Sequence, residues 1–382
     1  MLFHPKDTRE VMQRANKSAA HLAYHLHYFL EHQWNDKKRV WEPSKRLKPV
    51  PILPELKEIG EQLQAQREQA MIEWAQTGYV KKLKARLVGR IIHGLGAGHI
   101  RETSLTIHPV YGLPYIPASS VKGLVRHWFI EAYCEGEEKQ LNEHEIGREI
   151  FGTQGNKGIV QFHDIFLIEG LQLTGDVLAV HMKEYYEGNR AATDDQKPVP
   201  VSFWTVMATE VDIYLTANRS APQNDEETVR LLEAAALWTQ QALTEWGIGS
   251  KTSSGYGRFA EVYDVTEMEF LPIVQKEQVR LEQQKKEREM LEQRKREEEE
   301  KARLALLSPE ERLVVEIERL TDSQTDEQRS KDVLYQQVIE QRNRQAALAL
   351  QAYWQRIGQW GKSVSKKQKQ KIDKLQQLLN DE

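Results

Sequence analysis

An α+β fold is predicted for the middle of this chain, residues 80–264, and three observations predict it. Strand-like and helix-like runs follow one another there as strand, helix, strand, then strand, helix, strand. The segment LKARLVGRI (83–91) has a period of two, with Leu83, Ala85, Leu87, Gly89 and Ile91 on one face and Lys84, Arg86, Val88 and Arg90 on the other. That is the pattern of a half-buried strand with a basic outer side. A glycine-rich loop, GIGSKTSSGYGRF (247–259), joins the last helix-like run to the last strand-like run.

The elements read in order as follows. Residues 7–33 predict a helix, opened by a capping-box pair, Asp7 and Glu10, and continued by Ala19, Leu22, Ala23, Leu26, Phe29 and Leu30 at roughly helical spacing. Residues 37–54 are basic and interrupted by Pro43, Pro49, Pro51 and Pro54, which reads as an extended linker. A second helix is expected over about 55–77. After strand 83–91 come a glycine-rich turn (94–98), a hairpin (104–117) and a helix opened by Ser119 or Ser120. Further strands are expected at 158–168, 171–180, 199–207 and 209–216, then a helix at 226–246 and a strand at 257–264. This order is that of a ferredoxin-like or RRM-like sheet. The polar insertion 181–198 lies between strands and is expected to project from that sheet.

Beyond the core, 275–303 is mostly charged, with Glu282/Lys286 and Glu292/Arg296 spaced four apart. It predicts a lone solvated helix, because apolar residues are too sparse for a heptad seam. Ser308, Pro309 and Glu311 mark a new helix start. The expected division is a helical segment and linker (1–79), the core (80–264), the charged helix (265–303) and C-terminal helices (304–382).

At 382 residues the chain predicts two or three structural units, and a hydrophobic content of 40 % supplies a sizeable core. Cys134 is the single cysteine. It excludes an intramolecular disulfide and a cysteine-based zinc site, and it favours a reducing, intracellular compartment. With no signal-like or membrane-length apolar run, a soluble cytoplasmic protein is expected. The net charge of −4 hides an uneven distribution: residues 80–130 hold eight Lys/Arg against one acid, Glu102. Such a stretch suits a polyanion.

The glycine loop is the strongest chemical signal. Gly247, Gly249, Gly255 and Gly257 permit positive φ and close approach to a bulky ligand, and consecutive amides of such a loop converge on anions. Lys251 and Arg258 add positive charge, Thr252 a hydroxyl, and Tyr256 a flat face for a base. The loop runs from helix to strand and lacks GxxxxGK[ST], which argues against a nucleotide-cofactor loop and for a grip on an extended phosphate backbone. A second anion position is expected at the helix start, from Ser119, Ser120, Lys122 and Arg126, the last two sharing a face. Ordinary capping and solvated cations would account for the same residues. The histidines show no metal-ligand spacing. His99, with Arg101 nearby, is the one candidate general base toward a ribose 2′-OH. Asp164 and Asp176 read as turn closers, and Trp128, Trp204, Trp238 and Trp246 as core.

Five segments carry a resemblance. GIGSKTSSGYGRF resembles the C-terminal glycine-rich loop of the CRISPR-associated RAMP superfamily. LPYIPASSVKGLVR (113–126) and FGTQGNKGIVQFHD (151–164) resemble that superfamily's first-helix and strand motifs. TGDVLAVHMKEYYEGN (174–189) and PVPVSFWTV (198–206) resemble the Cmr6-type subunits of type III-B effector complexes. The resemblance implies a ferredoxin-like RAMP core, no cofactor and no metal. It implies a structural subunit that contacts the 3′ part of a CRISPR RNA and the guide–target duplex beside other Cmr-type subunits. It also implies a thumb, for which 181–198 with Lys183, Tyr185 and Tyr186 is the candidate. Sister subunits cut RNA with an aspartate in the loop after the first strand. Here that loop, HGLGAGHIRETS (93–104), offers only Glu102, so no catalysis is expected. Two alternatives stand beside this reading: a metal-independent endoribonuclease using His99, and a helical adaptor with a vestigial RNA surface.

Overall fold

The computed structural model describes residues 10, 20–27, 32–44, 47–98, 103–180, 183–189, 191, 193, 199–219, 224–321, 323–361 and 364–380. It divides into two compact units, 1–279 and 280–382.

In chain order, the first unit begins with α1 (Ala23–His27), β1 (His32–Asn35), β2 (Val40–Pro43) and α2 (Pro54–Trp74). Next come β3 (Gly78–Leu87), β4 (Arg90–Ile91), β5 (Tyr115–Ile116), α3 (Ala118–Tyr133) and α4 (Glu145–Phe151). Then follow β6 (Gln161–Phe162), β7 (Ile165–Phe166), β8 (Gln172–Val180), the single-turn α5 (Lys183–Tyr186), β9 (Val199–Met207) and β10 (Glu210–Asn218). Last are α6 (Asp225–Glu245), β11 (Phe259–Asp264) and the start of α7 (Leu271–Leu306).

The main sheet is antiparallel, in the order β11-β3-β10-β6. With α3 between its first two strands and α6 between its last two, this is the ferredoxin-like arrangement that the element order predicted. Leu83, Ala85 and Leu87 of β3 point into the core, where Val125, Phe129, Ala235 and Leu243 of α3 and α6 cover them. A second sheet, β4-β9-β8, is dominated by a nine-residue hairpin pairing Gln172–Val180 with Val199–Met207. The strands pair out to Val180 and Val199, and between them residues 183–189, 191 and 193 are described, with α5 at Lys183–Tyr186.

Three local expectations are corrected. The helix expected over 7–33 is helical at 23–27, falls largely outside the described residues, and has ended by His32, where β1 begins. The expected linker 37–54 begins as a hairpin: β1 pairs with β2, and Asn35 Oδ1 accepts from the amides of Lys37 (3.1 Å) and Lys38 (3.2 Å) to shape the turn. A side chain substituting for a backbone turn bond is invisible to composition. The third concerns α3, which has Pro117 in the cap position with no side-chain cap; Asp164 Oδ1 instead accepts from the Ala118 amide at 2.7 Å. Ser119 and Ser120 are thereby released from capping.

A charged cluster locks α2 to the sheet. Lys82, nearly buried, reaches Glu68 at 2.7 Å and Asp212 at 3.7 Å, and lies 5.6 Å from the Tyr214 ring centre. Arg67 stacks over Phe166 and Tyr214 and donates to the Asp164 carbonyl.

In the second unit, α8 (Pro309–Glu318) opens with the expected capping box: Ser308 Oγ accepts from Glu311 N at 3.2 Å, and Glu311 Oε2 from Ser308 N at 2.9 Å. α9 (Gln324–Arg329), α10 (Tyr335–Glu340), α11 (Arg344–Arg356) and α12 (Lys366–Asn380) follow. Trp354, Ile317, Leu334, Val338, Leu350 and Leu375 form the core of this unit. Val274 is the one buried residue of α7, the long charged helix. No helix of the described residues is long and apolar enough to cross a membrane.

Lys82→Ala is expected to destabilise the first unit by about 3 kcal/mol, because it strands the carboxylate of Asp212 in a largely buried site. The urea midpoint followed by tryptophan fluorescence measures this. A change below about 0.5 kcal/mol, the range of ordinary surface substitutions, would show that the cluster does not hold α2.

Candidate nucleic-acid interface

The glycine loop is pinned to the segment Arg90–Ile92 by backbone contact. Ser250 N donates to Ile92 O at 2.7 Å, Gly257 N to Arg90 O at 2.8 Å and Ile248 N to Gly257 O at 2.9 Å. Three glycines, Gly247, Gly249 and Gly257, are required for closeness as well as for positive φ. A Cβ at Gly257 would stand 2.0 Å from Ile248 O, and one at Gly249 2.3 Å from Ile92 O. Lys251 itself has φ 60°.

This bracing changes what the loop presents. The amides of Gly247, Ile248, Ser250, Ser254, Gly255, Tyr256 and Gly257 all donate to carbonyls of the chain. These seven amides are committed to the chain, so the backbone that carries the loop's side chains is braced. Arg258 is turned inward: Nε donates to Thr252 O at 3.1 Å and a terminal nitrogen to Glu245 O at 2.5 Å. Tyr256 donates to Asp176 at 2.8 Å and sets its ring edge-on to Phe203. The Lys251 carbonyl accepts from the amides of Ser254 and Tyr256, and its side chain makes no hydrogen bond or ion pair among the described residues, which leaves the ammonium available.

Asp176 is a tie rather than a turn closer. It also accepts from Arg90 at 2.9 Å. Burial would raise its pKa, but the Tyr256 hydroxyl, the Val177 amide and Arg90 outweigh this and hold the carboxyl below its ordinary range.

The loop and the start of α3 enclose a cleft of about 560 Å³, lined by His93, Gly94, Ser120, Leu124, residues 245–250, Thr252, Ser253 and Arg258. The two segments singled out in the sequence, 130 residues apart, thus meet on one site. His93 forms its inner wall, with Nδ1 2.8 Å from Thr106 Oγ1 and Nε2 3.0 Å from Ser120 Oγ. Burial lowers its pKa below the ordinary imidazole value. Nothing in its sequence spacing separated His93 from the other histidines. His99 and Arg101 lie outside the described residues, as do the side chains of Lys183 and Tyr186; Tyr185 is 50 % exposed on α5. Trp128, Trp204 and Trp238 are core, while Trp246 lines the cleft.

A larger depression of about 950 Å³ lies on α3 beyond Ser120, lined by Lys122, Arg126, Glu137, Glu138, Lys139, Asn142 and residues 151–155. Arg126 pairs with Glu138 at 2.6 Å. Burial, Arg126 and Lys157 together push the Lys122 pKa down. Lys157 of the GTQGNKG turn is a cation near Lys122 that the sequence reading passed over.

The basic outer side of β3 and β4 proves to be paired. Lys81 meets Asp264 at 3.1 Å, Lys84 meets Glu269 at 2.8 Å, Arg86 meets Glu261 at 3.6 Å and Arg90 meets Asp176 at 2.9 Å. The acids come from strands and turns more than 80 residues away. Among the described residues no group of three or more His, Cys, Asp or Glu is arranged to hold a metal.

The family model of the RAMP superfamily matches residues 84–260. These residues are a RAMP superfamily domain. The glycine loop, the α3 segment and the β8–β9 arm all fall inside it. The chain is 28 % identical to the CRISPR system Cmr subunit Cmr6 of Pyrococcus furiosus over 235 residues, 47 % of this chain and 67 % of that protein. It is 29 % identical to the Cmr6 subunit of Saccharolobus solfataricus over 109 residues, 28 % of this chain and 34 % of that protein. These relatives bear out the Cmr6-type resemblance within the RAMP superfamily. Among solved structures, similarity extends to a chain of the type III-B Cmr-beta complex bound to cognate target RNA, with 18 % identity, a TM-score of 0.40 and coverage of 55 % of this chain and 66 % of that one. It extends also to the crystal structure of Cmr6 from Pyrococcus furiosus, with 26 % identity, a TM-score of 0.29 and coverage of 48 % and 97 %.

The bracing of the RAMP glycine loop leads to a mutational expectation. Gly257→Ala forces Cβ against a carbonyl oxygen, whereas Gly255 has open space around it. The first should destabilise the fold by about 2 kcal/mol more than the second, read as the difference in unfolding free energy. Equal effects would mean that the loop yields. A second expectation concerns pH. His93 and His163 are both lowered from 6.5, chiefly by burial. The unfolded chain then binds more protons just below that pH, so stability is full above it and falls as pH drops through it. Urea titrations between about pH 7 and pH 5 should show this loss, smaller in His93→Gln. An unchanged slope in that variant would show that the ring is not held neutral.

Proposed function

We propose that this chain is a non-catalytic RNA-holding subunit of a type III-B CRISPR (Cmr) effector complex. In this reading it lies along the 3′ part of a CRISPR RNA and the duplex formed with target RNA. One observation carries the reading: the glycine loop and the first turn of α3 meet on one cleft, with Lys251 on the loop and Lys122 and Arg126 further along the helix. A rigid edge bearing spaced cations suits a ribose-phosphate backbone, which is recognised without regard to sequence. The relatives' names, subunits of Cmr systems, support the same setting.

The state of His93 argues against that ring as a base for cutting. Both ring nitrogens lie within hydrogen-bond distance of hydroxyls, and burial disfavours the imidazolium. A general base toward a 2′-OH needs a nitrogen directed at the ribose. The β8–β9 arm, with Tyr185 near its tip, fits the thumb role, in which an exposed aromatic wedges against or stacks on a base. The partners in this reading are CRISPR RNA, target RNA and other Cmr-type subunits, with no cofactor.

The test is a gel shift of the full chain on end-labelled guide-length RNA across a salt series, with and without Mg²⁺, scored also for cleavage. Intact, bound RNA with affinity falling steeply in salt is expected. Lys251→Glu and Lys122→Glu should each weaken binding and reduce the log–log salt slope by about 1. Site-specific cutting that disappears in His99→Ala would replace this reading with the nuclease that uses His99.

A further inference from the structure

The hairpin His32–Pro43 lies outside the RAMP domain and takes no part in the cleft. Its register sets Trp34 directly opposite Trp41, so both indoles stand on one face. Their centres are 5.7 Å apart with the planes at 65°, edge to face. They are 46 % and 42 % exposed, large values for tryptophan. The other face carries Gln33, Asn35 and Glu42 beside an exposed Val40, and Asn35 and Lys38 each donate to Glu42 at 2.8 Å. Asp36, Lys37, Lys38 and Arg39 form an exposed turn, with Arg39 at φ 53°. Residues 32–48 hold six Lys/Arg against two acids, Asp36 and Glu42.

Tryptophan faces beside a cationic turn suit a ligand that has flat π-surfaces and negative charge at regular spacing. Unpaired nucleotides have both, and they gain from stacking and from the cation field together. A duplex keeps its base faces stacked internally. An acidic peptide brings charge without flat surfaces. The edge-to-face pair also braces the hairpin, as cross-strand aromatic pairs do, and that bracing holds the indoles in place for a base.

Position favours the same ligand. Leu47, four residues after Pro43, lies against Gly175, whose hydrogens leave the room that Leu47 fills. Gly175 precedes Asp176, the anchor of Tyr256 in the glycine loop. Four residues span at most about 14 Å, so the base of the hairpin is tethered close to the loop side of the first unit.

We propose that this hairpin is a second, independent nucleic-acid site that takes unpaired nucleotides of single-stranded RNA. Bases stack on Trp34 and Trp41, and phosphates meet Lys37 and Arg39. The choice of RNA over DNA rests on the function proposed above; the stacking chemistry does not.

The experiment uses the full chain and a short oligouridylate carrying 5-iodouridine. Ultraviolet irradiation followed by peptide mass spectrometry maps the adducts, which are expected on Trp34 or Trp41. Binding of the same oligonucleotide is measured for Trp34→Ala and for the doubly reversed Lys37→Glu/Arg39→Glu. The second variant leaves the indole pair in place, and the pair's exciton signal in circular dichroism reports an intact hairpin. Both variants should bind about tenfold more weakly, with blunt duplex binding unchanged. Adducts confined to residues 84–260, with unchanged affinity in the charge-reversed variant, overturn the proposal. Protection of the indole pair by a protein subunit, without any RNA adduct, overturns it as well and makes the face a protein-docking surface. Lys251→Glu separates the two readings, because it should weaken the cleft and leave the hairpin adducts.

Discussion

The contact on which the first unit depends is the seam between the glycine loop and the three residues Arg90–Ile92. Peptide groups approach there too closely for any side chain to intervene, and Gly249 and Gly257 permit it. The consequences spread outward. The seam holds His93, the next residue, against Ser120 and Thr106. It sets Tyr256 where its hydroxyl reaches Asp176, and so ties the loop to the β8–β9 arm. Seven of the loop amides are committed to carbonyls, and the Lys251 ammonium is left to a ligand. A ligand that grips this edge meets a surface already organised, and little ordering entropy remains to be lost on binding.

Charge in this molecule is arranged by pairing more than by accumulation. The cations of β3 and β4 look, along the chain, like one basic face. In the fold each finds a carboxylate on a neighbouring strand or turn. Exposed pairs of this kind contribute little to stability, but they cancel local field. The field that remains for a polyanion includes Lys251 and Arg258 of the glycine loop, the latter bonded to neutral carbonyls, Lys122 with Lys157, and the turn of the Trp34–Trp41 hairpin. These are three separate positions, as an extended ligand requires. Burial first, then Arg126 and Lys157, lowers the Lys122 pKa, and the like charges among these causes would be relieved by a shared counterion.

The regular elements of the core were legible because each depends on local pattern. Alternation in LKARLVGRI located the second half of β3, though that strand starts earlier at Gly78 and Arg90–Ile91 leaves for the other sheet as β4. The helix-like run 226–246 located α6 within one residue. The order of strands and helices then implied the sheet order, since right-handed crossovers leave few other solutions. Ser308, Pro309 and Glu311 announced a capping box that formed as expected. The hairpin at 32–43 was not legible. Its turn is held by an Asn35 side chain, its strands are four residues each, and the prolines beyond it mimic a linker. The start of α3 was misread for a related reason: its cap comes from Asp164, 46 residues away.

The sequence by itself determined the α+β core, the helix-to-strand glycine loop, the family to which 84–260 belongs, and the cations available to a phosphate backbone. These follow from spacing, chirality and side-chain chemistry, which act over a few residues. Tertiary structure alone decided which of those groups face outward. Arg258 and Tyr256 are tied to partners at Glu245 and Asp176, the Lys251 side chain is left unpaired among the described residues, and His93 rather than a more conspicuous histidine walls the cleft. Pairing partners for charges and hydroxyls are chosen by distance in space, and distance in space appears only when the chain has folded.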